Sequence, residues 1–133
     1  LKTKMNKYLA DTTVLVEMFR GNSLAKKFLE NLPEISKVTL VELIQGCQNQ
    51  EELGIVEKGC GLLPQIKIDG VISDMAIELL RKYNLSHGLI FLDALIAATC
   101  IIRKKILVTE NIKDFRFISG LKVESQKEAF ATL

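Results

Sequence analysis

Three carboxylates, each beside or among apolar residues, could do chemistry together. Asp11 follows the apolar stretch "NKYLA", Glu42 sits inside "TLVELIQGC", and Asp93 interrupts "LIFLDALIAAT". An unpaired buried carboxylate is costly, and the residues around Asp93 leave little exposed polar face, so that acid needs hydrogen bonds, a helix N-terminus or a cation. Taken singly, each has a plainer reading. Asp11 and Asp93 can cap helices, and Glu42 can be an ordinary helix-surface residue. Taken together they form the acid set that a magnesium or manganese ion would neutralise through oxygen ligands. One or two such ions, about 3.5–4 Å apart if both are present, would orient and acidify water and offset negative charge on a phosphodiester. The sole histidine, His87, lies in an expected loop and makes a poor general base by comparison.

For that chemistry the acids must meet, and the order of elements brings them together. Residues 6–10 have strand character, and "TTVLVEMFRG" opens with a threonine pair and closes at Gly21 as a helix would. Ser23 is suited to start a second helix, which Pro33 stops. Residues 34–38 are expected as a strand, with a helix from about Thr39 carrying Glu42, another helix over 50–60, and a strand-like segment over 64–68. "VISDMAIELLRKYN" has a broad apolar face at helical spacing, a break is expected over 84–88, and "IFLDALIAATCIIRKK" reads as a nearly buried helix with its cations at the negative dipole end. "ILVT" and "LKV" complete the strands. Strand alternating with helix favours a central parallel sheet covered by helices. In such sheets the carboxyl ends of the strands share one rim, where acids distant in sequence converge.

The segment "ILVTENIKDF" delivers Glu110, Asn111 and Asp114 to the same rim. Asn111 offers an amide oxygen without charge, whereas Asp114 carries charge and would turn inward if the segment made a helical turn. Glu110 fits an outward, solvated position more easily. Both Asn111 and Asp114 stay open as the fourth ligand.

Composition narrows the remaining classes. At 133 residues with 48% hydrophobic and 26% charged, the chain suits one ordered domain, expected over residues 5–133, with 1–4 as an upstream remnant before Met5 or a disordered N-terminus. A net charge of +2 neither requires nor excludes a nucleic-acid partner. Cys47, Cys60 and Cys100 lack zinc-ligand spacing and fit a reducing compartment, so a cytoplasmic location is expected. Asp11 breaks the only N-terminal apolar run, so neither a signal peptide nor a membrane span is expected.

The motifs "YLADTTVLVE", "VTLVELIQG", "LDALIAAT" and "LVTENIKDF", in that order, resemble the signatures of PIN-domain ribonucleases, above all the small VapC-type toxins of toxin-antitoxin pairs. The resemblance covers nearly the whole chain and implies a three-layer α/β/α fold with a central, mostly parallel sheet. It also implies metal-dependent endonucleolytic cleavage of RNA. By resemblance, Asp11, Glu42 and Asp93 match acidic residues around a Mg2+ or Mn2+ site, with Asn111 or Asp114 in the fourth place and Asp114 counted among the catalytic acids. Thr12, Thr13 and Thr109 match supporting polar positions, although each also suits a helix start or strand end. A homodimer and a cognate antitoxin are implied as partners; a DNA-binding antitoxin would not make this chain a DNA-binding module. "VLVEMF" and "SLAKKFLENL" are candidate partner surfaces, unless the core claims them. Arg20, Lys26, Lys27, Lys113 and Arg116 are candidate RNA contacts. The main alternative is a catalytically weak or inactive PIN-like module that binds RNA or protein. A response-regulator-like domain is disfavoured, because paired early acids and a phosphoacceptor-plus-lysine pattern are missing from the sequence.

Overall fold

The computed structural model describes residues 7–132; the expectations for residues 1–4, Met5 and Asn6 lie outside them. The chain runs β1 (Tyr8–Ala10), α1 (Thr12–Phe19), α2 (Ser23–Leu29), β2 (Ile35–Ser36), α3 (Lys37–Gln45), α4 (Gln50–Gly61), β3 (Gln65–Ile66), α5 (Gly70–His87), α6 (Phe91–Arg103), β4 (Ile106–Val108), a 3-10 turn (Ile112–Asp114), β5 (Lys122–Glu124) and α7 (Gln126–Ala131).

All the strand pairings are parallel. β4 lies between β1 and β5, with Leu9 opposite Leu107 and Leu107 opposite Val123. β2 pairs with β3, and a bridge from Leu9 to Glu34 joins that ribbon to β1. The bridge is made by backbone bonds from Ala10 N–H to Glu34 O at 2.9 Å and from Glu34 N–H to Tyr8 O at 3.2 Å. The order β3-β2-β1-β4-β5 therefore puts β1 in the middle. Alternate residues of each strand leave opposite faces of the pleat. Leu9 and Leu107 enter a core with Ile72, Ala76, Leu79 and the α6 residues Ala94 to Ala98, while Tyr8, Ala10 and Val108 enter a second core with Val14, Leu15, Phe28, Val56 and Cys60. Helices thus cover both faces, and the fold is a three-layer α/β/α sandwich. Fully burying a side chain of Val, Leu, Ile or Phe contributes roughly 1.5–3 kcal/mol.

Several boundaries differ from the sequence expectation, each for a local reason. β2 is only two residues long, because Ser36 ends it as the N-cap of α3, its hydroxyl accepting from Val38 N–H at 3.0 Å. The helix therefore starts at Lys37, not near Thr39. α5 continues through the expected break at 84–88 and stops at Gly88, whose φ of 72° lies in the left-handed region that glycine adopts freely. His87 is consequently a helix-terminal residue, not a loop residue, and it stacks on Phe117 with ring centroids 4.4 Å apart. α7 was unanticipated as a helix, yet Ser125 and Glu128 form a capping box at its start. The apolar residues of "VLVEMF" and "SLAKKFLENL" largely serve the core: Val14, Leu15, Ala25, Phe28 and Leu29 are buried. Among the described residues no helix is long and apolar enough to cross a membrane. All three cysteines are free, and burial pushes the Cys60 thiol up to about 11, which makes it a poor nucleophile.

Ile96, fully buried at the centre of α6, should be costly to truncate. Ile96→Ala is expected to lower unfolding free energy by about 2–5 kcal/mol in urea denaturation. The exposed Ile77→Ala should stay within about 0.5 kcal/mol.

Candidate functional site

The chain leaves β1 towards β2 on one side, with β4 on the other, so a crevice opens beyond the carboxyl ends of the central strands. Asp11 is the first residue after β1, and its N–H is held by Val108 O at 2.9 Å. Although it is the N-cap residue of α1, its side chain makes no capping bond. Two hydroxyls hold it instead: Asp11 Oδ2 accepts from Thr13 at 2.9 Å and from Thr109 at 2.8 Å. Those hydroxyls in turn accept from the backbone, Thr13 from Glu110 N–H at 3.2 Å and Thr109 from Asn111 N–H at 3.0 Å. The loop after β4 is thereby tied to the acid after β1. Thr12 turns the other way and donates to Glu42 Oε1 at 2.6 Å.

Asp93 arrives from the first turn of α6, followed by the wholly buried run Ala94 to Cys100. The 3-10 turn brings Asp114 round, its N–H bonded to Asn111 O at 3.0 Å. These segments enclose a crevice of about 350 Å³ lined by Asp11, Thr12, Thr13, Val16, Glu17, Arg20, Glu42, Asp93, Glu110, Asn111, Asp114 and Phe115. A groove of about 430 Å³ over α5 and α6 is larger, but Met75, Leu79 and Ile101 share its wall with Glu78, Arg81 and Lys82, and no acids converge there.

The electrostatics of the crevice are those of crowded acids. Burial raises Asp11 above the ordinary carboxylate value, while the Thr109 and Thr13 hydroxyls pull it back down. Glu42 is also raised, first by burial and further by the Asp11 charge, with Thr12 opposing. Asp93 is pushed up to about 7, first by burial and then by the charges of Asp11, Glu42 and Asp114. A position in the first helical turn favours an anion, yet here desolvation and like charge outweigh the dipole.

All the expected acids thus share one crevice, and Asn111 and Asp114 both reach it, since the turn that Asp114 requires is present. Glu110 also borders it, but its Oε2 is engaged by Gln126 N–H at 3.1 Å, at the start of α7. Arg20 is on the wall, whereas Lys26, Lys27, Lys113 and Arg116 are exposed outside the lining. His87 is not part of it. Three lining residues escaped the sequence reading as site residues: Val16 and Glu17 on α1, the latter one turn after Thr13, and Phe115, buried behind the 3-10 turn. Spacing along α1 would have found Glu17, which shares the face of Thr13 and Arg20.

Does this donor set fit a divalent cation? Four carboxylates and an amide are all hard oxygen donors, and their mutual repulsion is what a hard dication relieves. Among the described residues, however, no group of three or more His, Cys, Asp or Glu stands as a ready-formed cage. Asp11 and Glu42 each direct one oxygen to threonine. The set fits Mg2+ or Mn2+ in charge and donor type, as a lined crevice.

The Asp93 shift has a stability consequence. Between 3.8 and about 7 the folded chain holds a proton on Asp93 that the unfolded chain releases, so this contribution to stability falls as pH rises through that window. Chelator-treated protein is therefore expected to melt at a lower temperature at pH 8 than at pH 6, and Asp93→Asn should narrow the gap. A gap unchanged in the variant would show that Asp93 does not carry the effect.

Comparisons with known proteins identify the family and its fold. A family model for the PIN domain matches residues 8–120. Ribonuclease VapC19 of Mycobacterium tuberculosis (strain ATCC 25618 / H37Rv) is 32% identical over 121 residues, covering 86% of this chain and 96% of that protein. A toxin-antitoxin complex from Klebsiella pneumoniae contains a chain similar in structure, with a TM-score of 0.74 and 30% identity over 90% of this chain and 97% of that one. VapBC2 from Rickettsia felis, bound to a DNA fragment from their promoter, gives a TM-score of 0.72 and 26% identity over 89% of this chain and 97% of that one.

Proposed function

This chain belongs to the PIN-domain family, and from that premise we propose that it is an Mg2+- or Mn2+-dependent endoribonuclease, the toxin of a toxin-antitoxin pair. The observation that carries the reading is the meeting of Asp11, Glu42, Asp93 and Asp114, from four separate segments, in one crevice beyond the strand ends. Asp11, Glu42 and Asp93 would hold the metal, with Asp114 or Asn111 in the fourth place. Bound there, the ion would supply water activation and charge stabilisation for hydrolysis of an RNA phosphodiester bond.

The remaining work belongs to the chain's own residues. Thr13 and Thr109 hold Oδ2 of Asp11, and Thr12 orients Glu42. Arg20 on the wall meets a backbone phosphate, and Lys26, Lys27, Lys113 and Arg116 supply exposed positive charge to the approaching strand. The VapC similarity, together with relatives solved as toxin-antitoxin and VapBC complexes, supports an antitoxin partner for this chain too, and a homodimer belongs to the same proposal. The free cysteines suit action in the cytoplasm.

Two observations favour a second reading. Asn111 brings no charge to the fourth place, and no three acids form a ready cage among the described residues. A catalytically weak or inactive PIN-like module binding RNA or protein would tolerate both.

Cleavage separates the two. Purified protein should cut RNA in Mg2+ or Mn2+ and stop on addition of chelator. Asp93→Asn should lower the rate by more than the roughly 10–100-fold typical of losing an outer-shell partner of a metal site, with folding intact. RNA left whole by a protein that binds both metal and RNA would favour the binding module. Asp114→Asn and Asn111→Ala, measured in the same assay, assign the fourth place to whichever variant loses more.

A further inference from the structure

We propose that Thr39 is a positioning residue, whose hydroxyl acts through Thr12 to fix the direction in which the Glu42 carboxylate faces the crevice. This rests on the reading of Glu42 as a metal-holding acid. Thr39 is fully buried on α3, one turn before Glu42 on the same face. Thr12 Oγ1 lies 3.0 Å from Thr39 Oγ1 and 2.6 Å from Glu42 Oε1.

Proton counting sets the direction of the relay. A hydroxyl has one proton to donate and lone pairs to accept with. Facing an ionised Glu42, Thr12 gives its proton to the carboxylate, so the contact with Thr39 is held by the Thr39 proton. Thr39 donates to Thr12, and Thr12 donates to Glu42. The two threonines come from different helices, so the relay ties the start of α1 to the face of α3 that carries the acid.

A buried helical threonine has a simpler way to satisfy itself, and the same fold shows it. Thr99 on α6, also buried, donates back to Leu95 O at 2.8 Å within its own helix. Thr39 instead reaches across to α1. The difference matters because a glutamate has several freely rotating bonds, whereas a threonine is stiff at χ1. Without the Thr39 proton, Thr12 keeps its hydroxyl but loses the contact that aims it, and Glu42 is released from its set direction.

The test is Mn2+ affinity, measured by titration calorimetry on the metal-stripped full chain, with a thermal melt for each variant. Thr39→Val and Thr39→Ala are expected to weaken Mn2+ binding about tenfold, at the lower end of what outer-shell partners contribute. Thr39→Ser, which keeps the hydroxyl, should remain within about twofold of the unmodified protein. Adding Thr39→Val to Thr12→Val should cost little more than Thr12→Val alone, because the relay is already cut. Thr39→Ser and Thr39→Ala both lose the methyl group, so their comparison isolates the hydroxyl even if Thr39→Val folds poorly. Equal affinity in the Ser and Ala variants, or full additivity with Thr12→Val, overturns the proposal. Glu42→Gln is the control for the premise: if it leaves Mn2+ affinity unchanged, the reading of Glu42 fails and the relay fails with it. A loss in Glu42→Gln without one in Thr39→Ala overturns the relay alone.

Discussion

Like charges brought out of water into one crevice are the constraint on which the rest of this structure depends. Carboxylates that would repel or take up protons are held in place by groups that can only donate to them. Hydroxyls are well suited to this, because each accepts from the backbone on one side and donates to the acid on the other. The Asp11 arrangement has that form twice over, with the Glu110 and Asn111 amides behind the Thr13 and Thr109 hydroxyls. The acids therefore stay near one another without any being fully neutralised, and the cost shows in Asp93, which burial and the charges of Asp11, Glu42 and Asp114 push up to about 7.

The sheet supplies the framework for that crowding. With β1 central and parallel neighbours on both sides, the residue after β1 and the residue after β4 are adjacent in space, and a backbone bond from Asp11 to Val108 seals the junction. Alternation along β1 and β4 sends side chains into two cores at once, so the strand ends are fixed from both faces. The helices can then be polar at one end and buried elsewhere. α6 is the extreme case, with an acid in its first turn and seven buried residues after it.

Much of this was legible in the residues. Asp93 stood out because no solvated face remained around it, and Asp11 because it closed a strand and opened a helix. The tie from Thr109 to Asp11 was beyond sequence reading in detail, since hydroxyl direction depends on register between strands far apart in the chain. The misplaced boundaries have other causes. Asn84 and Ser86 looked like a break, yet as exposed residues they cost a helix little, and only Gly88 has the backbone freedom to end it. Thr39 passed for a helix start because Ser36, the true cap, looked like part of a strand. The box Ser125 to Glu128 was a readable signal that an alanine-containing terminus obscured.

The pairing of Tyr8 with Ile106 has a consequence for how the protein comes into being. Asp11 meets Thr109 across 98 residues of chain, so loop closure on that scale precedes any completed crevice. During synthesis Asp11 has Thr13 beside it from the start but must wait for Thr109 until β4 has emerged. A nascent or prematurely terminated chain lacking β4 also lacks Thr109, Asn111 and Asp114, and with them the distant tie to Asp11 and one wall of the crevice. Completion of the crevice thus arrives late, as a property of topology.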